Sequence, residues 1–159
     1  MRIVVACGIV FGAVTLLEPA AAGPFGEKKV LTLEIARRIV TAAESEAARS
    51  HLAGVVAVVD DGGWPILIER MDHAAYLASV ELAPGKARTA ALFKKPSQAL
   101  EDAINHGRTA AITARGFTEM QGALPIVVDG EVIGAVGASF DTPEHDVQIA
   151  EAGLAAVPH

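Results

Sequence analysis

The run Val55-Val56-Ala57-Val58-Val59 carries no polar alternation, and no other feature restricts the fold of this chain as much. Side chains along a strand alternate between the two faces of its sheet, so an unbroken apolar run puts apolar groups on both. Both faces must then be covered, and helices are the usual cover. Asp60-Asp61-Gly62-Gly63 turns the chain, and Ile66 to Met71 supplies the returning strand of a hairpin. A second hairpin is clearer still. Leu124 to Val128 and Val132 to Ala138 flank Asp129-Gly130, a dipeptide suited to a two-residue type I′ turn.

Helical segments fill the remainder. Thr32 is placed as an N-cap before Leu33, Ala36, Ile39, Val40, Ala43 and Ala47, whose spacing predicts a helix over 33–50. Residues 77–94 have helical composition, with a break or kink expected near 83–84 at Pro84-Gly85. Ser97 reads as a further N-cap, opening a helix that runs to Ala114 before Gly116 stops it. Thr142-Pro143-Glu144 supplies a cap, a first-turn proline and an early acid for a last helix reaching Ala156. The class is therefore α+β: a central antiparallel sheet of four or five strands built from two hairpins, with helices on both faces.

Residues 1–22 have the layout of a secretory signal peptide. Arg2 gives the positive start, Ile3 to Leu17 is apolar without a charge, and Ala20-Ala21-Ala22 is a small-residue cleavage site. The apolar stretch is shorter than the roughly 20 residues a membrane helix needs. Cleavage after Ala22 predicts a periplasmic or secreted protein with no stable membrane span, a flexible lead-in over 23–30 and a single domain over 31–157. The only cysteine, Cys7, leaves with the leader, so the mature chain has no disulfide, thiolate metal site or covalent c-type haem attachment. The leader carries one Arg and one Glu, so the net charge stays at -6 and no basic face for nucleic acid is visible. A domain without disulfides is held by its core, by contacts with further copies of itself, or by both.

An ordered set of short segments then points to a family. Val58-Val59-Asp60-Asp61-Gly62-Gly63, Arg70-Met71-Asp72, Lys86-Ala87 with Thr89-Ala90, and Pro96-Ser97 come first. Pro125-Ile126, Asp129-Gly130, Ile133-Gly134-Ala135-Val136-Gly137 and Asp146 with Ala150, Ala152-Gly153-Leu154 follow. Together they resemble the GlcG/HbpS-like haem-binding family, which includes the C-terminal domain of a PduO-type corrinoid adenosyltransferase. The resemblance runs from Leu31 to Val157. It implies a sheet between helices, assembly into a homo-oligomer, and haem as a cofactor. This chain departs from the pattern at Phe140-Asp141, at Gly122-Ala123-Leu124, at Pro84-Gly85, and at His73, where a small residue is common.

His73, just past the second strand, is the candidate iron ligand, with Asp72 fixing its tautomer. It reads equally well as a solvated loop histidine. Arg70 and Lys86 are candidate anion binders for haem propionates or a small carboxylate, and Thr89 lies one helical turn from Lys86. Arg70 could instead pair with Glu69 or Asp72. Lys86 is expected to bridge to Asp72, whereas His145 and Asp146 read as exposed. Gly134 and Gly137 interrupt the last strand on opposite faces, marking close approach of a ligand or of another backbone.

Three readings follow. The first is an exported haem-binding protein for haem capture, buffering or redox-linked sensing. The second is a tautomerase-like enzyme for a small organic acid, using Asp72, His73 and Lys86 for proton transfer and Arg70 to hold the carboxylate. The third is a non-catalytic oligomeric interaction module. No zincin, nucleophile-elbow, phosphate-loop or dinucleotide motif is present.

Overall fold

The computed structural model describes residues 26–158, so the leader over 1–22 lies outside the described residues. Residues 26–32 enter without regular structure, and helix α1 (Leu33–Arg49) begins where Thr32 Oγ1 accepts the Ile35 N–H at 3.3 Å. That bond satisfies one of the donors a helix start leaves open. Strands β1 (Val55–Asp60) and β2 (Pro65–Arg70) form the first hairpin, and Asp60 Oδ1 accepts the Trp64 N–H at 2.8 Å across its turn. Strands β3 (Ala123–Val128) and β4 (Glu131–Ser139) form the second. Asp129 and Gly130 have φ of 51° and 81°, the left-handed pair that a type I′ turn requires.

The sheet has four strands in the order β2-β1-β4-β3, all antiparallel. β1 and β4 zip the two hairpins together with Ala57 opposite Gly137. The apolar run is buried on both faces, as its composition demands. Val56 and Val58 face α1 and helix α4 (Pro143–Leu154), in a core shared with Ile39, Val136 and Ile149. Val55, Ala57 and Val59 face helix α2 (Ser79–Phe93) and its alanines.

The glycines of β4 explain how α2 sits so close. A Cβ at Gly137 would lie 2.9 Å from the Ala87 nitrogen and 3.0 Å from its Cβ, so helix backbone occupies that space. On the other face a Cβ at Gly134 would meet the Val59 carbonyl of β1 and, at 2.9 Å, the side chain of Leu31. Gly137→Val is therefore expected to overpack the α2 face and destabilise by about 1–3 kcal/mol. A urea midpoint equal to wild type would show that α2 can lift off at no cost.

Two helical expectations need correction. α2 runs unbroken through Pro84 rather than breaking at 83–84. The proline removes one N–H donor near the helix start, and Val80, whose carbonyl loses that partner, lies at the exposed surface where water can replace it. The segment expected as one helix to Ala114 is helix α3 (Gln98–Asn105), ended by Gly107 at φ 99° and followed by a short 3-10 turn over Thr109–Thr113. Ser97 makes no capping bond to α3. Its buried Oγ accepts the Ala123 N–H at 3.1 Å, tying the helix start to β3.

Candidate functional site

Lys86 is carried on the buried side of α2, three residues from Ala83 and one from Ala87, both of which face the sheet. Its stem runs past the end of the sheet, where Gly122 offers no side chain. A Cβ there would fall 2.6 Å from the Asp146 Cβ and 3.1 Å from Lys86 Nζ. Through that gap Lys86 Nζ donates to Asp146 Oδ2 at 2.6 Å and, weakly, to the Ala138 carbonyl at 3.4 Å. Asp146 belongs to the first turns of α4, which opens with Thr142 as N-cap and Pro143 as first residue. Its second oxygen accepts the Phe140 N–H at 2.5 Å. Lys86 is 2% exposed and Asp146 is 5% exposed, so the pair is almost wholly buried. Burial pushes the Asp146 carboxyl up, while the Lys86 hydrogen bond and charge and the Phe140 N–H pull it back.

The expected partner of Lys86, Asp72, is thus replaced by Asp146, and Asp146 is buried rather than exposed. The sequence contained a signal for this. Asp146 precedes Ile149, Ala150 and Gly153 by three, four and seven residues, which places it on the stripe of α4 that turns inward. Thr89 is also committed elsewhere. It is buried, its Oγ1 donates to the Gly85 carbonyl at 3.0 Å, and it accepts the Thr118 N–H at 3.0 Å.

Arg70, Asp72 and His73 do come together. With Met71, Ala74 and Leu77 they line a hollow of about 200 Å³ beyond the end of β2. Val55 is paired with Arg70 at the last position of the β1–β2 ladder, so the chain leaves the sheet there. His73 then takes the left-handed conformation, φ 64°, and the residue is exposed. Arg70 has no carboxylate within ion-pair distance among the described residues, so neither Glu69 nor Asp72 holds it. Leu77, 77% exposed, adds an apolar surface to the same hollow.

Lys86 and Asp146 instead line a separate pocket of about 140 Å³, together with Tyr76, Ser139, Phe140 and Asp141. The two hollows share no lining residue. The acid–base cluster Asp72/His73/Lys86 is therefore not assembled, which removes the basis of the tautomerase-like reading. Larger depressions lie along α1 and beside the Asp129-Gly130 turn; their linings hold paired charges (Arg38 with Glu34, Lys28 with Asp61, and Lys29 with Asp129) as well as Arg37, Lys94 and Glu131, and neither contains a histidine.

A family profile described as haem degrading protein HbpS-like matches residues 31–155. The chain belongs to the HbpS-like family. Protein GlcG of Escherichia coli is 41% identical over 112 residues, which cover 70% of this chain and 83% of GlcG. A double mutant of HbpS from Streptomyces reticuli superposes with a TM-score of 0.79 at 27% identity, over 92% of this chain and all of that one (100%). A crystal structure of a PduOC–haem complex superposes with a TM-score of 0.74 at 29% identity, over 81% of this chain and 96% of that one.

For an HbpS-like chain the chemistry available is now explicit. The His73 hollow offers an imidazole, a guanidinium free to take a carboxylate, and an apolar wall. The Lys86–Asp146 pocket offers a buried ammonium and carboxyl. A third pair lies next to it, His145 Nδ1 to Asp141 Oδ1 at 2.7 Å. The His145 hydrogen bond holds the Asp141 carboxyl below its usual value. A lowered acid stabilises the fold above its ordinary pKa and loses that contribution as pH falls through the lowered one. The pair is surface-exposed, so the energy is small. In His145→Ala the Asp141 carboxyl is expected to titrate back toward the ordinary value, as read by carboxyl-carbon NMR. An unchanged titration would show that the pair does not persist in solution.

Proposed function

We propose that this protein is an exported haem-binding protein in which His73 would ligate the iron and Arg70 would receive a haem propionate. The observation that carries the reading is the His73 hollow: a loop imidazole beside a guanidinium without a carboxylate partner, against exposed Leu77. Family membership and the haem complex of a relative support the same cofactor. The residue set fits haem, since a neutral imidazole ligates iron and arginine grips a carboxylate with two hydrogen bonds. Bound haem would supply a redox-active iron. His73 would hold that iron, Asp72 lies close enough in sequence to orient the imidazole, and Leu77 would shield one part of the macrocycle.

Exposure of the lining selects between the two hollows. Pockets that bury a ligand of drug size run to about 300–1,000 Å³. The Lys86–Asp146 pocket, at about 140 Å³, is far below that and is walled by neighbouring elements. The His73 hollow is also small, about 200 Å³, but its lining is largely exposed, so a macrocycle can extend beyond it. A second copy of the chain covering the remainder would account for the homo-oligomer implied by the family.

Titration of the protein with haem, followed by absorbance, is expected to saturate at one haem per chain with a new Soret band. Absorbance no different from that of a non-haem control protein would remove the cofactor from this reading. Loss of the bound band over time with an added reductant would extend binding to degradation, the activity in the family's description. Export completes the proposal. The intact mass of protein recovered from a periplasmic fraction is expected to begin at Gly23, and a cytoplasmic chain that retains Met1 would contradict it. Among the described residues no helix is long and apolar enough to cross a membrane.

A further inference from the structure

We propose that the Lys86–Asp146 pocket is a second binding site, distinct from the His73 hollow, for a small uncharged polyol or hydroxy-ketone. Three features of the pocket lead there: its size, its charge and the hydrogen bonds it leaves open.

A cavity of about 150 Å³ takes a molecule the size of benzene. This one, at about 140 Å³, therefore suits roughly six non-hydrogen atoms. Charge decides what kind. Asp146, Asp141 and Glu101 face a single cation, Lys86, and that cation is already shared with Asp146. An anion entering here would meet more carboxylate than ammonium, so small carboxylates and phosphates are disfavoured and an uncharged molecule is not.

The open hydrogen bonds specify oxygen. A lysine ammonium carries three donors. Lys86 directs one to Asp146 and a long one to the Ala138 carbonyl, which leaves a donor for an acceptor inside the pocket. Ser139 lines the same space, and its Oγ donates to Ser79 Oγ at 3.0 Å, so its lone pairs are free to accept. A hydroxyl oxygen can accept from Lys86 and donate to Ser139 at once, and an adjacent carbonyl can only accept. Leu82, Met120, Phe140 and Pro143 provide walls for a short carbon skeleton. Tyr76, Met120, Asp141 and Pro143 are the exposed residues of the lining, so the mouth is among them, with Met120 its long unbranched side chain. Gly122 is required for this site, since any side chain there would collide with both members of the ion pair.

The test is a backbone amide NMR titration of isotope-labelled protein with three three-carbon probes: hydroxyacetone, glycerol and lactate. Hydroxyacetone or glycerol is expected to shift the Gly122, Ser139 and Phe140 amides saturably with a millimolar Kd, the range open to so small a ligand. Lactate is expected to leave them unmoved. Met120→Trp, a substitution at the exposed mouth that spares the buried pair, is expected to weaken the effect at least tenfold. Shifts equal for lactate would overturn the charge argument, and no saturable shift with either neutral probe would overturn the site. Shifts undiminished in Met120→Trp would place the binding elsewhere. A haem titration of the same variant is expected to match wild type, so failure here and failure of the haem reading are separable.

Discussion

Lys86→Met is expected to be the most destabilising single substitution at either hollow, by about 3–5 kcal/mol at neutral pH. Methionine fills much of the lysine stem's volume, so the loss is electrostatic. It leaves the Asp146 carboxylate almost wholly buried with only the Phe140 N–H against it. With urea m-values of about 1–3 kcal/mol per molar, the midpoint falls by roughly 2 M. The pH dependence identifies the cause. Removing Lys86 removes both of its downward pulls on an acid that burial already pushes up. An acid raised in the folded state binds its proton more tightly there than in the unfolded chain. The penalty is therefore absent below the ordinary carboxylate value, grows as pH rises from there toward the raised one, and is constant above it. Lys86→Met should thus lie closest to wild type in acid, below the ordinary carboxylate value, and furthest from it once pH exceeds the raised one. Lys86→Met with Asp146→Leu should recover most of the loss, since a buried ion pair replaced by apolar groups is often neutral. The recovery stays incomplete by about 1–3 kcal/mol because Phe140 N–H loses its acceptor. A Lys86→Met midpoint within error of wild type at all pH would show that the pair is not buried.

His73→Ala is expected to lower haem affinity at least tenfold, about 1.4 kcal/mol, and to change the Soret band. The substitution should leave the urea midpoint within about 0.5 kcal/mol of wild type, since the residue is exposed and surface changes are usually of that size. It can even stabilise slightly if glycine replaces the histidine, because φ 64° favours glycine. Arg70→Ala should do less. A guanidinium–carboxylate pair at an exposed position is worth about 0.2–1 kcal/mol, which is at most a fivefold change, and it should leave the band in place. Separating affinity from spectrum in this way assigns iron contact to one residue and propionate contact to the other.

The layered architecture was legible because single segments settle it. β1 is apolar on consecutive residues and must be buried on both faces, and Asp129-Gly130 admits few turns other than the one found. Thr32 and Thr142 cap the helices they were assigned. Ser97 did not, because a hydroxyl next to a helix start can equally be drawn to a strand, and only the tertiary fold brings Ala123 N–H within reach. The order in which the hairpins join, β1 against β4, is likewise a long-range choice that no local pattern encodes. The same reason hid the site's strongest interaction. Lys86 and Asp146 are sixty residues apart, and their contact depends on the gap at Gly122. Asp72 is nearer in sequence and faces another hollow altogether. Arg70, Asp72 and His73 line one hollow because they share one short stretch after a strand end, whereas Lys86 and Thr89, expected with them, do not reach it.

Rescue of His73→Gly by free imidazole tests the central claim most directly. Haem is added to His73→Gly and absorbance is followed while imidazole is titrated in. If His73 ligates iron from this hollow, the glycine variant lacks the wild-type Soret band, and imidazole restores it at concentrations too low to alter wild type. A glycine variant that binds haem with the wild-type affinity and spectrum before any imidazole is added would contradict the assignment and place the iron elsewhere on the molecule.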